Sequence, residues 1–234
     1  MRIIKLDAID STNHFLKALS AQENCENFTV VSTESQTEGK GQRGSGWVSE
    51  SGKNLTFSVL YNQKVDGITS LFTLNIMVAL SVVEALKLVS NLNFVIKWPN
   101  DILINNRKVS GLIAEVVGNG VVIGIGINVG MSEDQLPVET ATSLLIEGGV
   151  DLTRDQILCE VLEEFEEHFV QWDQGSDEVH SLYNHLSATL GKEVRVEYPG
   201  GGTHLAVAES ISDIGALILA DGTHVQSADV IHLR

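Results

Sequence analysis

The sequence predicts an α+β fold followed by a small C-terminal SH3-like β-barrel, and three observations predict it. Leu71, Leu74, Val78, Val82, Leu86 and Val89 recur at three- to four-residue spacing and mark a long helix over 70–89. Strand-like segments follow at 94–98, 102–104, 109–117 and 121–128, with turns at Asn105-Asn106 and Gly118-Asn119-Gly120. Past Leu190 the pattern changes. Glu193-Val194-Arg195-Val196-Glu197 alternates with period two, and Pro199 to Gly202, Ser212-Asp213 and Asp221-Gly222 supply turns for four or five short strands. The expected division is a larger domain over 1–188 and a barrel over 189–234. A barrel of that size is near the lower limit of independent stability, so it is expected to pack on the larger domain.

The remaining elements follow the same logic. Residues 11–20 read as a short helix capped by Ser11, with Phe15, Leu16 and Leu19 on one face. Val30, Val31 and the run Leu55 to Tyr61 read as strands, with a glycine-rich loop between them. Thr153 opens another helix, with Gln156 at the capping-box position and Ile157, Val161, Phe165 and Phe169 facing the core. Its other face, with Glu160, Glu163, Glu164 and Glu167, is expected to be solvated.

Composition excludes several function classes. Among 234 residues, 31 acids against 15 bases give a formal charge of -16, which repels a nucleic-acid backbone. Cys25 and Cys159 stand in no metal-binding spacing and make no disulfide framework, which fits a reducing, cytoplasmic setting and predicts no metal site. The first residues are too charged for a signal peptide. Leu71 to Leu88 is interrupted by Thr73, Asn75, Ser81, Glu84 and Lys87, so no membrane span is expected.

Two stretches carry the chemistry. Gly39-Lys40-Gly41-Gln42-Arg43-Gly44-Ser45-Gly46-Trp47 sets two cations and an indole in a loop whose glycines let backbone N–H groups approach an anion. As a string, Gly39-x-Gly41-x-x-Gly44 matches the dinucleotide fingerprint, but Ser45-Gly46 and Ser49-Glu50-Ser51-Gly52 are poor starts for the helix that the fingerprint requires. The plain alternative is a surface loop, with Trp47 an ordinary core tryptophan. The second stretch, Lys97-Trp98-Pro99-Asn100-Asp101, projects an amide and a carboxylate from a sharp turn, and Arg107-Lys108-Val109-Ser110-Gly111 follows it across a hairpin. Turn formation alone also explains Asn-Asp, and Lys108 also reads as a solvated hairpin lysine. Ser11-Thr12-Asn13 offers hydroxyls and an amide at a helix start, where N-capping by Ser11 is the simple reading. Gly124 and Gly126, inside the apolar run Ile123 to Asn128, point to close approach by a ligand or backbone, with sheet packing the rival.

Taken together, Ser11-Thr12-Asn13, Gln36, Gly39 to Trp47, Lys97 to Asp101, Arg107 to Gly111 and Gly124 to Asn128 resemble the biotin protein ligases in order and spacing. Residues 190–234 resemble that family's small C-terminal domain. The resemblance implies a class II synthetase-like mixed sheet with helices, biotin and ATP with Mg²⁺ as substrates, and a biotin carboxyl carrier domain as acceptor. It implies a monofunctional form without the N-terminal DNA-binding domain, working as monomer or homodimer without nucleic acid or membrane. Carried over residue by residue, Lys108, Asp101 and Arg43 would be catalytic. Lys108 would bridge the carboxylate and the α-phosphate, and Asp101 would orient the acceptor amine or take its proton. Ser11, Thr12, Asn13, Gln36, Lys40, Gly41, Gln42 and Lys108 would bind biotin. Lys40, Arg43, Trp47, Lys97, Asn100 and Asn128 would bind the nucleotide. The loop departs from the family in carrying Gln42 where arginine is common, and Lys40 where others have arginine. A lipoate or octanoate ligase or transferase, and a non-catalytic biotin sensor, are the alternatives.

Overall fold

The computed structural model describes residues 1–62, 67–149, 153–173, 178–226 and 228–233. Strand β1 (Ile3–Ile9) leads into helix α1 (Thr12–Gln22), β2 (Thr29–Gln36), β3 (Asn54–Tyr61) and helix α2 (Gly67–Val89). Then come β4 (Val95–Lys97), β5 (Asp101–Ile104), β6 (Arg107–Val117) and β7 (Gly120–Asn128). Helices α3 (Leu144–Glu147), α4 (Arg154–Asp173) and α5 (Glu178–Leu186) precede β8 (Glu193–Glu197), β9 (Thr203–Ile211), β10 (Leu217–Leu219), β11 (His224–Val225) and β12 (Asp229–His232). The expected segments recur as elements, with bounds shifted by a few residues. Three elements, β1, α3 and α5, carry no expectation from the sequence. Most of β1 is exposed or half-buried at the sheet edge, so burial left no strong period in its sequence.

The first seven strands form one mixed sheet in the order β1-β2-β3-β7-β6-β5-β4, parallel only between β1 and β2. The last five form an antiparallel sheet, β11-β10-β9-β8-β12, as a small barrel requires. Asn105 and Asn106 adopt left-handed φ values of 49° and 64° in the β5–β6 turn, which asparagine tolerates better than most residues. Thr153 and Gln156 form the expected capping box, each side chain taking the other's backbone N–H at 3.3 and 2.9 Å.

Period-two alternation gives the large sheet two different faces. On β7, Val121, Ile123, Ile125 and Ile127 enter the main core against α2 and α4, while Val122, Gly124, Gly126 and Asn128 face the other way. On β3, Leu55, Phe57, Val59 and Tyr61 face that core, leaving Thr56 and Ser58 on the opposite side with α1. By length and composition alone, Leu71–Val89 could cross a membrane, yet Leu74, Met77, Leu80 and Leu86 are fully buried in this core. Glu164 of α4 corrects one expectation: it is half-buried, and burial pushes its carboxyl above the usual range.

The C-terminal sheet shares the main core through Val194, Val196, Leu217 and Val230. Trp98 is the pin between the two sheets. It is fully buried, its indole Nε1 donates to Gly215 O at 3.0 Å, and its backbone N donates to Thr189 Oγ1 at 3.1 Å. Gly215 lies so close to α2 that a Cβ there would stand 2.8 Å from Phe72 Cβ. Trp98 therefore serves the packing behind the turn, and the turn's other residues reach the front.

Candidate functional site

A cleft of about 370 Å³ opens on the sheet face that α1 covers. Its floor is β7 and β6, where Gly126 pairs with Gly111 and Gly124 with Ile113. The two glycines of β7 meet different roofs. A Cβ at Gly124 would stand 2.3 Å from Asn13 Oδ1, and one at Gly126 would stand 2.4 Å from the Trp47 ring. The sequence offered close approach by a ligand or backbone; what approaches each glycine here is a side chain, Asn13 over Gly124 and Trp47 over Gly126.

At the Gly124 end, polar groups pair with one another. Ser11 caps α1, so the helix N-terminus presents Thr12 and Asn13 to the cleft. Gln36 Oε1 accepts from Thr12 N at 2.8 Å and from Thr12 Oγ1 at 3.0 Å. Ser58 Oγ lies 2.7 Å from Thr12 Oγ1 and 2.6 Å from Asn13 Oδ1, with one proton for either. Asn13 Nδ2 donates to Glu115, which Lys17 also reaches at 2.7 Å. Burial raises the Glu115 carboxyl, but the Lys17 and Asn13 hydrogen bonds outweigh it, and the group sits below its ordinary value. Ser58 and Glu115 escaped the sequence reading. Their signal was weak: a hydroxyl and an acid set at alternate positions in otherwise apolar strands.

At the other end, the glycine-rich loop folds as a hairpin held by its own backbone. Gly41 N donates to Ser45 O at 2.7 Å and Trp47 N to Gly39 O at 2.9 Å, with Gln42–Gly44 making a single 3₁₀ turn. Lys40, Gly41, Gln42 and Trp47 line the cleft. The Arg43 side chain, expected at the phosphates, lies outside the described residues.

Lys108 reaches the cleft because of a β-bulge. The β5–β6 register shifts between Ile102 and Leu103, so that Leu103 pairs with Lys108 instead of Val109. Without the shift, Lys108 would share the core face of Ser110 and Leu112. With it, Lys108 Nζ lies 2.8 Å from the position of a Gly111 Cβ and pairs with Asp101 at 2.6 Å. The Lys108 side chain is 37% exposed, so that ion pair holds by no more than about 1 kcal/mol and exchanges readily for a stronger partner.

The structure does not bring every expected residue to the cleft. Asn100 lines it, though its amide is occupied with Leu112 O at 2.7 Å. Lys97 sits beside Asp101 in register but outside the lining. Asn128 is buried below the cleft, accepting from Asn54 and donating to Thr142 O, both at 2.9 Å. Arg107, next to Lys108, is held by Glu133 through two hydrogen bonds. Thr56 and Asp229 line the cleft without having been expected there.

A mixed sheet with a glycine floor, hydroxyls at one end and cations at the other makes an enzyme site suited to a ligand with a polar ring and an anionic group. Residues 6–132, more than half of the chain, match the Biotin/lipoate A/B protein ligase family, and the chain belongs to it. It is 33% identical to Biotin--[acetyl-CoA-carboxylase] ligase of Mycobacterium tuberculosis, over 96% of this chain and 86% of that one. It is 30% identical to the Paracoccus denitrificans protein of the same name, over 90% of each. The solved biotin protein ligase of Aquifex aeolicus in complex with biotin and ATP superposes with a TM-score of 0.83 at 29% identity, covering 100% of this chain and 99% of the other.

Proposed function

We propose that this chain is an ATP-dependent biotin protein ligase, which forms biotinyl-5′-AMP and passes the biotinyl group to a lysine of a biotin carboxyl carrier domain. The observation that carries the reading is one cleft that joins a hydroxyl-and-amide end to Lys108, in a chain similar over nearly its whole length to named biotin ligases.

In the first step a biotin carboxylate oxygen attacks the α-phosphorus of ATP. The bond to the bridging oxygen breaks and pyrophosphate leaves. Two anions must meet, at a cost of about 4 kcal/mol for charges about 4 Å apart in an effective dielectric of about 20. Lys108 offsets that repulsion, giving up a pair with Asp101 that is worth less. Lys40, with Arg43, holds phosphate oxygens, and Trp47 covers the adenine. Magnesium arrives on the ATP phosphates as part of the substrate. In the second step the carrier lysine's amine nitrogen attacks the acyl carbon, the acyl–phosphate C–O bond breaks, AMP leaves and the nitrogen sheds a proton. Asp101, freed from Lys108, orients that amine.

The polar end argues for biotin over lipoate. A ureido ring needs the donors and acceptors that Thr12, Asn13, Gln36 and Ser58 carry, whereas a dithiolane ring needs none. Titration calorimetry with biotin and with lipoate tests the choice, with biotin expected to bind at least a hundredfold tighter. Incubation with biotin, ATP and a carrier domain, read on a streptavidin blot, tests the activity. Binding without label transfer would make the chain a sensor instead.

A further inference from the structure

The polar network at the Gly124 end is satisfied within the protein, yet two polar atoms close by have no partner among the described residues. Thr56 lines the cleft, is 4% exposed, and its Oγ1 is buried with no hydrogen-bond partner among the described residues. Trp47 Nε1 is likewise buried and unpartnered. The two stand close together. Thr56 is the register partner of Gly126 on the neighbouring strand, about 5 Å away. Trp47 Cε2, the ring carbon that bears Nε1, lies 2.4 Å from the position of a Gly126 Cβ. Indole N–H is a donor only, and a threonine hydroxyl can donate as well. Two buried donors, one over a glycine and one beside it, make a place for an acceptor.

We propose that Thr56 Oγ1 and Trp47 Nε1 together donate to one acceptor atom of the bound acyl substrate, and that Thr56 is a specificity-determining residue of this ligase. The inference rests on the biotin reading above. Gly126 lies between Gly124, under Asn13, and Gly111, beside Lys108, so the acceptor belongs to the stretch between the ureido ring and the activated carboxyl. Biotin offers two kinds there: the thioether sulfur and the carboxyl oxygens. A buried hydroxyl kept unpaired costs the fold stability, and an acceptor on a ligand offsets that cost.

The test is titration calorimetry of wild type, Thr56→Val and Thr56→Ser with biotin and with desthiobiotin, alongside ligand-free thermal melts. Valine keeps the shape and removes the hydroxyl. Thr56→Val is expected to bind biotin about tenfold more weakly while its ligand-free Tm is equal or higher, and Thr56→Ser to stay within about threefold of wild type. If the penalty disappears with desthiobiotin, the acceptor is the sulfur; if it persists, the acceptor is an oxygen. Wild-type biotin affinity in Thr56→Val, or a lowered Tm there with an equal loss in Thr56→Ser, would overturn the proposal. A wild-type chain that binds no biotin at all would overturn the ligase reading first, and this one with it.

Discussion

Gly124 and Gly126 lie two residues apart on one strand, yet they floor regions of opposite character. Over Gly124, Asn13 is fixed by Ser58 and Glu115, and each cleft-facing side chain there already has a partner. Over Gly126 the Trp47 indole rests with its N–H unpaired among the described residues, and Lys108 beside it is held by a half-exposed ion pair. The first region is closed by hydrogen bonds within the protein, and the second keeps a donor and a cation for a ligand. The difference teaches how one cleft both selects and reacts. Selection needs groups that cannot relax around the wrong ring, whereas reaction needs a cation whose present partner is weaker than its partner in the transition state.

Replacing each floor glycine in turn breaks the comparison most sharply. Gly124→Ala drives a methyl into Asn13 Oδ1 and is expected to lower biotin affinity about a hundredfold, with part of the loss appearing as reduced stability. Gly126→Ala presses on the Trp47 ring and is expected to weaken biotin only severalfold, through the displaced Trp47 donor, while its main effect is a raised KM for ATP. Calorimetry and steady-state kinetics on both variants check this. Equal damage to both ligands by both variants would mean that the two regions form one.

His232 probes what stands behind the reacting end. Its ring approaches Thr189 Oγ1 at 3.1 Å, and the same hydroxyl receives the Trp98 N–H. Burial, then Lys192 and Lys97, push its imidazole from an ordinary 6.5 down to about 4. Between those values the unfolded chain takes a proton that the folded chain refuses. Stability is therefore complete above about pH 6.5 and falls as the pH drops towards 4, by up to about 3 kcal/mol before solvent screening reduces it. Urea melts from pH 7.5 to 4 are expected to show that slope in wild type and a shallower one in His232→Gln. Identical slopes in the two proteins would remove His232 from the account.

Much of this layout was legible in the sequence, because burial and turn chemistry leave periodic marks. The apolar spacing of α2, the alternation of β8 and the Asn105-Asn106 turn all appear where those marks stand. The paired glycines were legible as close approaches, but not what approaches them. Trp98 sits in the most specific motif, yet it faces the C-terminal sheet, since a motif string does not say which side of a turn is inside. Asn128 was expected at adenine, and its amide is spent on Asn54 and Thr142, which are distant in sequence. The bulge that turns Lys108 into the cleft is equally invisible, because it depends on a register between two strands. Thr56 was passed over for a simpler reason: one hydroxyl in an apolar strand looks like noise until its lack of a partner is seen.

The smallest expected effect lies in the loop. Gln42 lines the reacting end with a neutral amide, and a charge-assisted hydrogen bond is worth about twice a neutral one. Gln42→Arg is expected to slow release of pre-formed biotinyl-AMP severalfold, a gain of about 1 kcal/mol, read by stopped-flow tryptophan fluorescence. An unchanged off-rate would mean that Lys40 and Arg43 already saturate the phosphate.

The central claim is that Lys108 exchanges Asp101 for the point where carboxylate meets phosphate. Pyrophosphate release on mixing enzyme with biotin and ATP tests it most directly, measured for wild type and Lys108→Ala together with biotin affinity. About 4 kcal/mol of lost charge stabilisation corresponds to a rate about a thousandfold lower, while biotin Kd should rise by less than about tenfold. Pyrophosphate release at the wild-type rate in Lys108→Ala would contradict the account. So would a loss that falls wholly on biotin binding, since it would place Lys108 among the groups that hold the ring and not at the reacting atoms.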